Sequence, residues 1–290
     1  MNIYLDCIPC FLRQCLDAAR NTTENIRLHE QVVREVLRLA ADLDLNRPPP
    51  WFGQIIHRRL RELTGVKDPY RTAKNSFNQM AMSLLPEIRA VVKQDPHPLF
   101  AAAKASIAAN VIDLGVKSNL EESQIKESLR MSCINDVYGD FEEFQRQVEK
   151  AKDILYLADN AGEIVFDRLL IEELGPKRVT LAVRGRPVIN DATIDDARAT
   201  GLHELTRVID NGSDAPGTIL EDCSADFLEN FYKADLIIAK GQGNFETLSE
   251  IKANIFFLLK VKCPVIATHI GLPPKTHALV HGSKDRILSN

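Results

Sequence analysis

Long apolar runs are missing from this chain. The longest, such as the one around Ile255 to Leu259, fall far short of the roughly 20 residues a membrane helix needs, so nothing calls for a bilayer span. Cysteine is scarce: six in 290 residues cannot make a disulfide scaffold and suit a reducing compartment. The start lacks the basic segment and apolar centre of a secretory leader, because Asp6 and Cys7 fall there, and the expected location is cytoplasmic. Excess charge of either sign is small, with 36 Lys+Arg against 40 Asp+Glu and no basic block, which argues against nucleic acid or a membrane surface as partner. Repeats and low-complexity segments are also absent. What is present is an ordinary globular composition, 45% hydrophobic, at a length that suggests two domains.

From Cys10 to about Lys150 apolar residues recur three and four apart, as in Val32, Val33, Val36, Leu37 and Leu39, and in Ile107, Val111 and Leu114. This is helical spacing, broken at Pro48-Pro49-Pro50 and at Asp95-Pro96-His97-Pro98. After Lys150 the pattern changes to short β-rich runs separated by helical stretches: Ile154 to Ala158, Val179 to Val183, Val208-Ile209, Leu236 to Ala239 and Val265 to Thr268. Near-continuous apolar strands alternating with helices predict an α/β fold with a doubly wound, mostly parallel, Rossmann-like sheet. The expected division is an all-helical domain over residues 1–150, covering the pocket, and an α/β domain over 151–290.

Ligands in such sheets sit beyond the carboxyl ends of the strands, so the strand exits carry the functional reading. The first run leaves through Asp159-Asn160-Ala161-Gly162-Glu163, and a helix beginning near Glu163 would present free N–H groups to an anion. The plainer alternative has Asp159 or Asn160 capping that helix. The second run leaves through Arg184-Gly185-Arg186-Pro187 to Asn190-Asp191-Ala192-Thr193. Asp191 could join Asp159 and Asn160 as a hard oxygen site for Mg²⁺ or Mn²⁺, or could cap the helix from Ile194, while Arg184 and Arg186 read as solvated. The run Leu236 to Ala239 leads into Lys240-Gly241-Gln242-Gly243-Asn244-Phe245-Glu246. There Lys240 and the bare N–H groups at Gly241 could meet a phosphate, or Asn244 could cap a Gly-rich turn. It is neither a Walker loop nor a full dinucleotide fingerprint, since Glu246 stands in place of a third glycine. Lys260 and Lys262 are a further anion contact or a surface pair. Acidic, amide and cationic groups converging on one sheet edge favour metal-assisted chemistry on a phosphorylated small molecule.

Together Asp159-Asn160-Ala161-Gly162-Glu163, Asn190-Asp191-Ala192-Thr193 and Lys240-Gly241-Gln242-Gly243-Asn244-Phe245-Glu246 resemble the damage-control phosphatase family, formerly the domain of unknown function numbered eighty-nine. Asp6-Cys7-Ile8-Pro9-Cys10 and the segment with Lys74 and Asn75 look like its stand-alone archaeal and bacterial branch. The resemblance implies phosphatase activity on sugar phosphates or damaged phosphometabolites, with Mn²⁺, Co²⁺, Ni²⁺ or Mg²⁺ as cofactor. It implies that Asp159, Asn160 and Asp191 hold the metal and that Lys262 binds substrate; Glu163 and Asn110 are further pocket residues.

Cys7 and Cys10 have the gap that suits zinc or thiol exchange, yet a zinc site needs four ligands and no second pair exists. His277 and His281, four apart, could share a helix face and read as surface residues. Two rival readings follow. In one, the Gly241/Gly243 turn holds a nucleotide or methyl donor in a binding module or transferase. In the other, the protein is a zinc or redox protein centred on Cys7 and Cys10.

Overall fold

Helical periodicity becomes five successive helices in a computed structural model that describes residues 1–109 and 137–282. They are α1 (Cys7–Thr22), α2 (Ile26–Ala41), α3 (Pro49–Thr64), α4 (Arg71–Gln94) and α5 (Pro98–Ala108). Asn25 caps α2 through its side chain, and prolines open α3 and α5 where their missing N–H has no helical partner. Residues four apart supply the buried face of α2 and α3: Val32 and Val36, and Phe52, Ile56 and Leu60. With Phe11 and Cys15 of α1 they close a small core of their own.

The remaining described residues alternate: β1 (Val137–Gly139), α6 (Phe141–Lys150), β2 (Ile154–Leu157), α7 (Glu163–Leu174), β3 (Val179–Val183), α8 (Ile194–Ala199), α9 (Leu202–Leu205) and β4 (Arg207–Asp210). Then follow α10 (Ala225–Lys233), β5 (Leu236–Lys240), α11 (Gly241–Leu248), β6 (Ile255–Lys260), α12 (Pro264–Ile270) and β7 (His277–His281). The seven strands lie in the order β1-β7-β6-β5-β2-β3-β4. Every pair is parallel except β6 with β7. This is the doubly wound α/β sheet that the sequence leads one to expect.

Both faces of the sheet are covered, as near-continuous apolar strands require. On one face Tyr156, Leu181, Ile238 and Phe256 share a core with α4, α5 and α7. On the other Leu157, Ile237 and Phe257 pack against Phe227 and Phe231 of α10, Phe245 of α11 and Ile266 of α12. The helices α4 and α5 thus form part of the sheet's own layers.

Three expectations are corrected. Val265–Thr268 is helix, because Pro264 sits at a helix start where proline is favoured; the strand is the apolar run just before it, β6. The first 150 residues are not all helical, since Val137–Gly139 pairs with β7 at the sheet edge. His277 and His281 lie at the two ends of a strand, with His277 buried and the His281 ring tilted against Phe256 at 4.5 Å, so they share no helix face.

Candidate active site

The chain reverses its direction of growth beside β2. It adds β3 and β4 on one side, then returns to place β5 and β6 on the other, with Leu157 of β2 opposite Ala239 of β5. Such a switch point opens a crevice at the carboxyl ends of the strands. Here it becomes a cavity of about 420 Å³ whose walls include Asp159, Asn160, Asp191 and Lys262. Cys7 and Cys10 of α1 and Pro49 and Gly53 of α3 close it from the helical side.

Backbone pairing brings the acidic exits together. Asn160 and Asp191 form an isolated antiparallel bridge, Ala192 N donates to Asp159 O at 2.8 Å, and Ala161 N donates to Asn190 O at 2.9 Å. The capping alternatives are not what the loops do. Gly162, at φ +80°, occupies the N-cap of α7, and Thr193 caps α8 in a capping box with Asp196. From the helical side, Asn78 of α4 accepts from Gly162 N at 2.8 Å and donates to Asp196 at 2.9 Å, while Lys74 lies 3.1 Å from Asp196. One helix therefore anchors both acidic loops.

Burial pushes the Asp159 carboxyl well above the usual carboxylate range, and the neighbouring charges of Asp191 and Glu163 push it further, with Lys262 and Arg184 offsetting only part. Asp191 is raised for the same first reason, against the opposing pull of Arg184. Arg184 is not solvated as expected: it is buried, and its Nε donates to Asp191 Oδ2 at 2.7 Å. Asn160 is oriented by two donations from Nδ2, to Asp159 Oδ2 at 3.0 Å and Glu163 Oε1 at 2.9 Å. Its Oδ1 receives no hydrogen bond among the described residues, so it stays available as a donor to a cation.

Among the described residues no cluster of three His, Cys, Asp or Glu could hold a metal. The oxygen set is instead two crowded carboxylates and an amide carbonyl, which fits a hard divalent ion that keeps several waters. Asn190, in the cavity wall, has a buried Nδ2 with no partner among the described residues, a donor that a phosphoryl oxygen would satisfy.

The other expected site residues divide by position. Lys262 is exposed on the loop after β6 and faces the cavity. Lys240 does not face it: its Nζ is buried 2.6 Å from Asp167 Oδ1, 3.0 Å from Ser106 O and 3.8 Å from Glu163. Burial would strip its proton, but Asp167 and Glu163 overcome this and hold the ammonium above its ordinary range. Tyr156 and Ser106 donate to the same Asp167 oxygen, at 2.8 and 2.7 Å. Glu163 stands behind Asn160 and is 3% exposed. Asn244 is internal to α11, donating to Lys240 O at 2.7 Å and accepting from Thr218 at 2.8 Å. Asn110 lies outside the described residues.

The glycines serve close packing. A Cβ on Gly241, at φ +79°, would overlap the Asp159 carboxylate, and one on Gly243 would overlap Pro216 O. The turn is thus filled by the protein's own atoms where a nucleotide module would leave room for pyrophosphate. Cys7, Cys10 and Cys263 line the cavity as free thiols, and burial pushes the Cys7 thiol up, which keeps it protonated.

Sequence reading missed two cavity residues, Gln242 and Glu246. Gln242 Nε2 donates to Glu246 Oε1 at 2.8 Å, and the four-residue spacing on a helix face was the available signal.

The chain is similar to known proteins along nearly its whole length. Residues 3–277 match the model of the damage-control phosphatase ARMT1-like domain. Damage-control phosphatase PH1575 of Pyrococcus horikoshii is 36% identical over 280 residues, covering 94% of this chain and 96% of the relative. A damage-control phosphatase of Archaeoglobus fulgidus is 34% identical over 272 residues, covering 92% and 94%. A crystal structure of a DUF89 family protein from Pyrococcus horikoshii superposes with a TM-score of 0.88 at 33% identity, covering 98% of this chain and 100% of that one. With its acidic strand exits, its buried lysine and its Gly-rich turn all inside the matched span, the chain belongs to the damage-control phosphatase family.

Proposed function

We propose that this protein is a metal-dependent phosphomonoester hydrolase acting on small phosphorylated metabolites, sugar phosphates or damaged phosphometabolites, in the cytoplasm. The observation that carries the reading is the pair of buried carboxyls, Asp159 and Asp191, both pushed upward in a cavity that Lys262 faces. Asp159, Asn160 and Asp191 would hold a divalent ion such as Mn²⁺, Co²⁺, Ni²⁺ or Mg²⁺. When bound, that ion supplies charge neutralisation and an activated water.

The chain's own groups do the rest. Lys262 attracts the phosphate dianion, Asn190 Nδ2 donates to a phosphoryl oxygen, and Arg184 fixes the Asp191 carboxylate in one orientation. The helices α1 and α3, whose residues line the cavity, restrict water over the site.

Phosphate release from a sugar phosphate and an aryl phosphate, measured with each of the four metals, tests the proposal. Activity that appears with metal and vanishes in Asp159→Ala is expected. Undiminished turnover in Asp159→Ala refutes it.

A further inference from the structure

We infer that Glu246 is the general acid that protonates the departing alkoxide, a role that rests on the phosphomonoesterase reading above. Glu246 lies on α11 and lines the cavity that also holds Asp159, Asp191 and Lys262. Its Oε1 accepts from Gln242 Nε2 at 2.8 Å, and Gln242 Oε1 accepts from Lys262 N at 3.3 Å. One amide therefore ties the carboxyl to the loop that carries the phosphate-facing lysine. Among the described residues the second carboxyl oxygen of Glu246 accepts no hydrogen bond and is left for a ligand. Of the other carboxyls in the wall, Asp159 and Asp191 are committed to the metal set and Asp6 is exposed.

The surroundings suit an acid. Burial raises the Glu246 pKa to about 7, against the pull of the Gln242 hydrogen bond, the Met1 amino group and Lys262. Cys7 faces it from α1 and is protonated. A carboxyl that titrates near neutrality carries its proton over the same range in which phosphate monoesters are dianions.

The step balances as follows for R–O–PO₃²⁻. The water oxygen bonds to phosphorus, the P–O bond to R–O breaks, and its electron pair stays on the leaving oxygen. That oxygen takes the Glu246 proton and departs as neutral alcohol, leaving a carboxylate. One proton of the attacking water remains on the phosphate and the other passes to solvent, from which Glu246 is reprotonated.

Leaving groups test this. A sugar alkoxide needs the proton; p-nitrophenolate does not. In Glu246→Gln, kcat on a sugar phosphate is expected to fall by about 10²- to 10³-fold while kcat on p-nitrophenyl phosphate stays within about threefold. The basic limb of the sugar-phosphate pH profile, centred near neutrality in the wild type, should be lost in the variant. Equal loss on both substrates, no loss on the sugar phosphate, or a retained limb overturns the assignment. Should Glu246→Gln fail to fold, the wild-type solvent isotope effect decides: it should be larger on the sugar phosphate, and equal effects overturn the role. Wild-type protein that releases phosphate from neither substrate with any of the four metals defeats the hydrolase reading itself, and the acid role with it.

Discussion

The space that a Cβ on Gly241 would need is the space occupied by the Asp159 carboxylate. β2 and β5 are neighbours, so Gly241 just past β5 must stay bare for Asp159, two residues past β2, to turn inward. Gly241→Ala is therefore expected to displace the Asp159 carboxylate, a proposed metal ligand, and to strain a backbone at φ +79°. Metal affinity by isothermal titration should fall at least about tenfold, and stability by about 1–2 kcal/mol from the left-handed backbone alone. Unchanged affinity would show that the Asp159 carboxylate is free to move aside.

The two lysines of the site should separate cleanly in mutation. Lys240→Met strands the Asp167 carboxylate, which is 0% exposed, and should cost about 3–5 kcal/mol in urea unfolding. Lys262→Ala removes an exposed cation, and stability should stay within about 0.5 kcal/mol. Its effect should fall on substrate, with KM raised about tenfold through loss of a charge-assisted phosphate contact. A large loss of stability in Lys262→Ala, or none in Lys240→Met, would reverse the roles given to them.

Asp214 joins the helical part to the α/β part. Burial would raise its carboxyl, but the Arg58 and Gln54 hydrogen bonds, with Arg61 beyond, hold it below the usual range. Arg58 Nη2 lies 2.6 Å from Asp214 Oδ1, and Arg61 pairs with the other oxygen. Asp214→Ala leaves two guanidiniums without their shared partner, and differential scanning calorimetry should show a loss of about 3–5 kcal/mol. A loss below about 1 kcal/mol would mean that apolar packing alone holds α3 in place.

His57, buried in α3 with an Nε2 that has no partner among the described residues, has a pKa lowered by burial to about 4. The unfolded chain gains this proton as pH falls through about 6.5, whereas the folded protein does not until pH approaches 4. The contribution is thus whole above pH 6.5 and is lost on acidification, at up to about 1.4 kcal/mol per pH unit across that window. His57→Phe should flatten the acid limb of a stability profile between pH 6.5 and 4. An unaltered slope would place the acid sensitivity elsewhere.

The acidic exits were legible because they follow directly from strand ends in a fold whose pockets lie there. Asp159 and Asp191 needed only the alternation of strands and helices to be placed near one another. The direction of a side chain was harder. Lys240 shares its strand face with Leu236 and Ile238, which sit in the core with α5 and α7, so strand parity turns it toward Asp167 and away from the cavity. Its adjacent glycines suggested a phosphate, but nothing local revealed Asp167, 73 residues earlier. Arg184 was misjudged for a related reason, since the carboxylate that justifies its burial reaches it only when the loop from Val188 folds back. At Val265–Thr268, β-branched residues outweighed the helix-start signal of Pro264.

The returning strand order also has a consequence for synthesis. The cavity wall combines Cys7 with Lys262, so its pieces leave the ribosome far apart in time. The helices α1–α3 can close their small core early. Strand β2 must wait for β5, some eighty residues later, before its second edge is paired. A nascent chain halted before Lys262 therefore carries both acidic loops with Arg184 already able to reach them, but lacks the exposed lysine that faces the cavity.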